Sequence, residues 1–319
     1  MNPKILSDLS RYFHRVAPTP LVPVQRDPSL PVVWCKLEFM NPSGSTKDRI
    51  ARFILEKAWR QGRLRPGDRV MEASSGSTSI ALALSCAQLG LRFTAVMPES
   101  VSNERVLTIR GYGGDVCLTP REEGVRGSIA ETERQAAQNG VFLPRQFSNP
   151  DNPEAHRVTT AREILDQIPG GFVDAVVSGV GTGGTLVGLH HGLSESGCGV
   201  VPVLARPVNI RGELEVECCS FSSRIPGVTE SLSQIFASAE LPGLVTMDVP
   251  DEDAICITRS LIRKGFPVGP SSGLNFAAAE EMCRRLGPDA RVVTVFPDRM
   301  ERYFTTELFG PMKECGPGA

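Results

Sequence analysis

Long apolar runs, paired-cysteine motifs and basic clusters are all missing from this chain of 319 residues. No stretch reaches the roughly 18 to 20 consecutive apolar residues a membrane-crossing helix needs. The opening MNPKILSDLSRYFHR also lacks the unbroken apolar core of a secretion signal, so a cytoplasmic protein with no membrane partner is expected. The nine cysteines include no CxxC spacing, and an odd, scattered set fits neither a disulfide framework nor a zinc site. They are expected to be reduced, mostly buried small hydrophobes, and no metal site is expected. The adjacent Cys218 and Cys219 would point to opposite faces of an extended strand, which suits packing better than redox chemistry. The 34 Lys and Arg nearly balance 36 Asp and Glu at a net charge of −2, with no basic run to track a phosphate backbone, so no nucleic-acid partner is expected. Only two Trp and three Tyr occur, yet 41% of residues are hydrophobic and 22% charged, so the chain is neither disordered nor fibrous.

What is present is an alternation. Strand-like runs (VVWCKLEF, DRVMEA, RFTAVMP, DAVVSGV, RVVTVFP) take turns with helix-period segments (IARFILEKAWRQG, SIALALSCAQLG, TLVGLHHGL). Strand, helix, strand repeated in this way predicts an α/β protein with mostly parallel sheets flanked by helices. The length favours two packed subdomains over one. Gly/Pro punctuation marks loops at 64–68, 97–100 and 149–153, the last (NPDNP) a plausible crossing between subdomains. Residues 206–246 follow neither period, and irregular structure near the site or an oligomer contact is expected there.

Three small-residue loops each follow a strand and open a helix: NPSGSTKDR (41–49), EASSGSTSI (72–80) and SGVGTGGTLVG (178–188). Ligands of parallel α/β sheets bind at such strand ends, where helix N-termini present unpaired amides. The glycines of GTGGT (Gly181, Thr182, Gly183, Gly184, Thr185) permit several backbone N–H groups to approach one anion, and the spacing matches neither GxGxxG nor a P-loop. The hydroxyl run of the second loop suits either a bound carboxylate or plain serine capping. Lys47 stands at a helix start, where the dipole disfavours a cation and lowers the amine's pKa, as imine chemistry with an aldehyde requires. His190 and His191 read as packed or solvated.

With these loops in this order, the chain resembles the fold-type II pyridoxal phosphate enzymes of the cysteine synthase and cystathionine β-synthase family. KLEFMNPSGSTKDR, EASSGSTSIALA, MPES, QFSNPDNPEAH, SGVGTGGT, GPSSGLN and FPDRMERYFTT, preceded by a TPL at 19–21, carry the resemblance from end to end. It implies two α/β subdomains, a smaller mobile one over 37–147 and a larger one over 1–36 and 148–319. It implies pyridoxal 5′-phosphate as cofactor, held by Lys47 as an imine, with Gly181 to Thr185 around the 5′-phosphate and Ser271 on the pyridine nitrogen. Ser74, Ser75, Gly76 and Thr78 would bind the substrate α-carboxylate, with Gln146 reaching it on closure. The implied reaction is β-replacement on an O-activated L-serine through an α-aminoacrylate, most simply with sulfide as in a cysteine synthase. Homocysteine or amine nucleophiles, β-elimination of cysteine, and a non-catalytic binding relative are the alternatives. A homodimer acting on small amino-acid substrates is implied too. Two departures stand out. Ser77 replaces the asparagine that usually meets the cofactor's 3′-oxygen, and Ser79 replaces a glycine, adding a Cβ to the loop. RIPGVTES (224–231) stands where a glycine-rich loop is usual, and its Arg224, Thr229, Glu230 and Ser231 are polar enough to read a leaving group or a second substrate.

Overall fold

The computed structural model describes residues 16, 18–209, 224–225, 228 and 232–310. In chain order the strands and helices are β1 (Leu21–Val24), β2 (Val33–Lys36), α1 (Lys47–Arg60), β3 (Arg69–Ala73), α2 (Ser77–Leu89), β4 (Arg92–Pro98), α3 (Asn103–Gly111), β5 (Asp115–Thr119) and α4 (Gly124–Asn139). There follow α5 (Asp151–Ala155), α6 (Ala161–Gln167), β6 (Ala175–Ser178), α7 (Gly184–Glu195), β7 (Val201–Val208), α8 (Gln234–Ala237), β8 (Val245–Pro250), α9 (Asp251–Arg263), α10 (Pro270–Leu286) and β9 (Val292–Val295).

Two sheets result. One has six strands in the order β1-β2-β9-β6-β7-β8, and the other has three in the order β3-β4-β5. All pairings are parallel except β1 with β2, as expected when most connections run through a helix. Both faces of the large sheet are buried. Ala175, Val177 and Val292 point into one core with Val33 and Cys35, while Val176, Val293 and Val295 point into another beneath α7. The small sheet has its own core, where Leu55 and Ala58 of α1 meet Val70, Ile80, Leu82 and Phe93.

Three expectations are corrected. NPDNP is a loop only at Asn149 and Pro150: α5 begins at Asp151, and Pro153 sits within the first helical turn, where its missing N–H costs nothing. Asn149 Oδ1 accepts from the Asp151 amide at 2.9 Å and starts the helix, which a π turn at His156–Thr160 joins to α6. Residues 206–208 belong to β7, so the segment expected to be irregular begins as strand. Cysteines 35, 86, 198 and 283 are free and buried and Cys117 is half-buried, but Cys256 is disulfide-bonded, against the expected fully reduced set. Cys218, Cys219 and Cys315 lie outside the described residues, as do Thr229, Glu230 and Ser231. Among the described residues no helix is long and apolar enough to cross a membrane, and no three His, Cys, Asp or Glu side chains are grouped to hold a metal.

Candidate active site

The three loops meet at one cavity of about 360 Å³, lined by Lys47, Ser74, Ser75, Ser77, Thr78, Gln146, Gly181, Thr182, Gly183, Thr185 and Ser271. That volume lies in the range of small-molecule sites.

The Lys47 loop is built by its neighbours. Asp48 accepts from Ser43 N at 2.8 Å and Ser43 Oγ at 2.5 Å, which folds NPSGS back over the helix start. Thr46 N donates to Pro297 O at 2.8 Å, and Ser45 pairs with Asp298 as an isolated bridge, so the lysine is clamped beside the carboxyl end of β9. Lys47 is half-buried in the cavity wall. Burial lowers its pKa, while the carboxylates of Asp298 and Glu38 pull it back up. Burial is thus the principal cause, not the helix end to which the sequence pattern pointed.

The second loop divides its labour. Ser74 N donates to Val96 O at 3.1 Å, and Ser74 Oγ accepts from Gly76 N at 2.8 Å and Ser79 N at 3.4 Å, leaving its hydroxyl hydrogen to give. Ser77 and Thr78 open α2, where their amides have no intrahelical acceptor. Gly76 has φ +150°, and a Cβ there would stand 2.3 Å from Arg105 Cδ, so it does not line the cavity but lets Arg105 pass behind the loop. Gln146 is tied to the loop: Thr78 Oγ1 donates to its Oε1 at 2.5 Å, and its Nε2 donates to Ala73 O at 2.6 Å. It is seated beside the serine loop and lines the same cavity. Ser79 lies within α2 at negative φ, so its Cβ meets no backbone conflict.

Glu72, at the foot of this loop, is 3% exposed, and burial pushes its pKa up to about 8 despite the Gln146 amide 3.3 Å from its Oε2. The folded protein therefore holds a proton here that the unfolded chain releases near its ordinary value of 4.5. This contribution is fully present below that value and is lost as pH rises through about 8. Glu72→Gln is expected to gain in Tm relative to the parent, by an amount that grows between about pH 5 and pH 9 in thermal melts; a difference independent of pH would contradict it.

The third loop starts α7. A Cβ on Gly184 would stand 1.8 Å from Asn152 Oδ1, so glycine is required for that side chain to close in. Asn152 Nδ2 donates to Thr182 Oγ1 at 2.9 Å and to Gln146 O at 2.8 Å, joining the second and third loops. Thr185 Oγ1 lies 3.3 Å from His156 Nε2, and burial lowers that imidazole's pKa to about 3, so it is neutral. The amides of Gly184, Thr185 and Leu186 have no intrahelical acceptor and form an anion site with the positive helix end. Ser271 faces the cavity one turn before Asn275, which ties the Gly179 amide (2.7 Å) to Val295 O (2.9 Å).

Sequence reasoning missed Asp298, Tyr303 and Arg105, which also line the cavity. Asp298 Oδ2 accepts from Ser77 Oγ at 3.2 Å and Tyr303 Oη at 2.7 Å. Its segment, FPDRMERYFTT, is one of those that carry the resemblance, and a lone carboxylate just past a predicted strand was the available signal. Arg224, expected to read a leaving group, does not line the cavity but pairs with Glu307, its Nε at 2.6 Å.

A doubly sheeted α/β fold with a pKa-depressed lysine and a glycine-built anion site on one cavity defines a class of enzyme that works through a phosphorylated carbonyl cofactor. The chain belongs to the pyridoxal-phosphate dependent enzyme family, whose model matches residues 12–298, and it is a pyridoxal 5′-phosphate dependent enzyme. It is 36% identical over 305 residues to the cysteine synthase of Staphylococcus aureus, covering 91% of this chain and 94% of that one. Among solved structures it is similar to an O-ureido-L-serine synthase (34% identity, TM-score 0.81, 97% and 96% covered). It is also similar to a hydrogen sulfide-producing enzyme from Fusobacterium nucleatum (32%, 0.85, 98% and 94%). The residues present fit the cofactor: besides the amine and the anion site, Thr46 Oγ1 and Asp298 Oδ1 are buried at the cavity with no partner among the described residues.

Proposed function

We propose that this enzyme catalyses β-replacement on an O-activated L-serine with sulfide as nucleophile, in the manner of a cysteine synthase. The observation that supports it best is the convergence of Lys47, the serine-rich start of α2 and the 181–185 loop on one cavity. When bound, pyridoxal phosphate supplies an electron sink for charge developing at the substrate's α-carbon. Lys47 Nζ would hold that cofactor, and the same amine would take the Cα proton of the substrate. The loop from Gly181 to Thr185 receives the phosphate through amides and the hydroxyls of Thr182 and Thr185. Ser271 Oγ would hydrogen-bond the pyridine nitrogen without adding a charge, which would suit loss of the β-substituent. The substrate α-carboxylate is received by the hydroxyl hydrogen of Ser74, by Ser75, by the Thr78 amide and by Gln146, with Gly76 shaping the turn. Ser77, whose hydroxyl hydrogen goes to Asp298, would turn it to the cofactor's ring oxygen in place of the usual asparagine amide.

The unit over 37–147, which carries the three-stranded sheet, moves against the remainder and closes the cavity, excluding water from the reacting carbon. Its working form is a cytoplasmic homodimer. The test is a screen of O-acetyl- and O-phospho-L-serine against sulfide, homocysteine and amine nucleophiles, with products weighed by mass spectrometry. Cysteine from sulfide is expected as the main product, and no product from any pairing would overturn the reading.

A further inference from the structure

Two cations on the cavity wall have no part in these roles. Arg105, in the first turn of α3, is 7% exposed; its Nη1 donates to Ser75 O at 3.1 Å, and its guanidinium carbon lies 5.2 Å from the centre of the Tyr303 ring. Its buried Nε has no hydrogen-bond partner among the described residues. Arg121, in the 3-10 turn leading into α4, is exposed at the cavity rim beside Gly124 and Val125. Neither guanidinium pairs with a carboxylate among the described residues. The one carboxylate among the described residues lining this cavity is Asp298, already engaged by Ser77 and Tyr303.

A guanidinium is costly to dehydrate without a counter-charge, so Arg105 is stabilised by an anion that arrives with a ligand. Its planar fork suits an oxyanion with two or more oxygens. Three neighbouring hydroxyls are occupied: Ser102 Oγ donates to Arg302 O, Thr305 Oγ1 to Glu104 and Thr306 Oγ1 to Tyr303 O. Beside the hydroxyl of Ser100, the arginines are the charged groups that remain to meet a ligand on that side. The substrate carboxylate and the cofactor phosphate already have amide-built sites elsewhere in the cavity, which leaves the group attached at the β-carbon.

We propose that Arg105 and Arg121 form a subsite for an oxyanion carried by the group that leaves or enters at the substrate's β-carbon, selecting anionic donors or nucleophiles over neutral ones. This rests on the β-replacement reading. As the Cβ–O bond breaks, its electron pair stays on the departing oxygen, so a leaving phosphate gains one negative charge while facing the guanidinia, and that gain is stabilised in the transition state. A carboxylate on an incoming amine nucleophile would meet the same pair. The shared chemistry is a multi-oxygen anion from either source.

The test uses holoenzyme of the parent, Arg121→Ala and Arg121→Lys, since Arg105 also supports the serine loop. One arm compares kcat/KM for O-phospho-L-serine with that for O-acetyl-L-serine, sulfide being the nucleophile in both. A second arm compares L-glutamate with sulfide as nucleophile on the better donor. A calorimetric titration of O-phospho-L-serine without nucleophile reads binding whether or not turnover occurs. In Arg121→Ala the ratio of the oxyanion-bearing reactant to the one without an oxyanion is expected to fall about tenfold in the arm whose anion uses the subsite, with partial recovery in Arg121→Lys. Ratios from one preparation are insensitive to any loss of folded protein. A fall in the first arm identifies a leaving phosphate, and a fall in the second a nucleophile's carboxylate. Both ratios and the binding constant unchanged within about twofold would overturn the subsite. Binding weakened by Arg121→Ala, with no turnover of any donor in the parent, would keep the subsite and reject the β-replacement reading.

Discussion

Lys47→Ala is expected to abolish the absorption band of the lysine-linked cofactor and to lower turnover by about 10³-fold or more, the loss of an anchor and a general base together. The chemistry needs a neutral amine, and burial supplies one: the pKa of Lys47 is lowered by the cavity wall, with Asp298 and Glu38 opposing. A lowered amine pKa enlarges the unprotonated fraction at any pH below it. Lys47→Arg should fail as completely, because a guanidinium stays charged, and this separates loss of the free amine from loss of bulk or charge. The helix that carries the residue is held by Asp48 and by the bonds of Thr46 to Pro297, none of which involve the Lys47 side chain, so the variants should fold. Spectra and rates of both variants check the expectation, and either one retaining both the band and the turnover would show that Lys47 is neither the anchor nor the base.

The loops and Lys47 were legible because each stands at a strand-to-helix junction, where a change of hydrophobic period and a cluster of small residues coincide in a few positions. Ser271 was legible only through resemblance; its geometric warrant, the shared helix face with Asn275, needs coordinates. The partners that connect the loops were not legible. Asn152 joins Gln146 to Thr182 from a stretch that reads locally as a turn, since two prolines in five residues look like loop chemistry until the helix start around them is known. Asp298 and Arg105 come from segments far apart in sequence that only the packing of α3 against the chain after β9 brings to Ser77 and Ser75. Lysine electrostatics were read in the right direction from the helix start, but burial, which no single sequence displays, contributes most. The Ser77 substitution, which left a gap in the reading of the cofactor site, acquires a partner in Asp298.

Arg49, two residues beyond Lys47, should matter nearly as much to stability as Lys47 does to chemistry. It is 4% exposed and ties three parts of the chain together. Its Nε and Nη2 donate to Glu38 at 2.6 and 2.7 Å, and its Nη1 and Nη2 donate to Glu163 on α6, both at 2.7 Å. Lys36 Nζ lies 2.8 Å from the same Glu163, and Thr19 Oγ1 donates to Glu38 at 2.6 Å. Burial alone would raise the pKa of Glu38, but the Arg49 charge and its hydrogen bonds outweigh burial and bring it down to about 2. Arg49→Met leaves Glu38, fully buried, without its hydrogen-bonded counter-charge, Lys36 and Lys47 acting on it only through space, an arrangement that costs about 3 to 5 kcal/mol and lowers Tm by roughly 10 °C. The pH dependence follows from the signs. In the parent, the Glu38 contribution is present above its ordinary value of 4.5 and is lost as pH falls toward about 2. In the variant the carboxyl takes up a proton more readily than in the unfolded chain, so acid favours the fold and the gap between the two proteins narrows on acidification. Adding Glu38→Gln to Arg49→Met should recover part of the loss, because the stranded charge is gone. Melts of the single and double variants across pH measure this, and a deficit that neither shrinks in acid nor responds to Glu38→Gln would place the cost in lost packing. Arg49 also sits on the turn that carries Lys47, so cofactor affinity should fall with stability in Arg49→Met, and the same ion pairs that hold α1 against α6 would set the height of the lysine above the anion site.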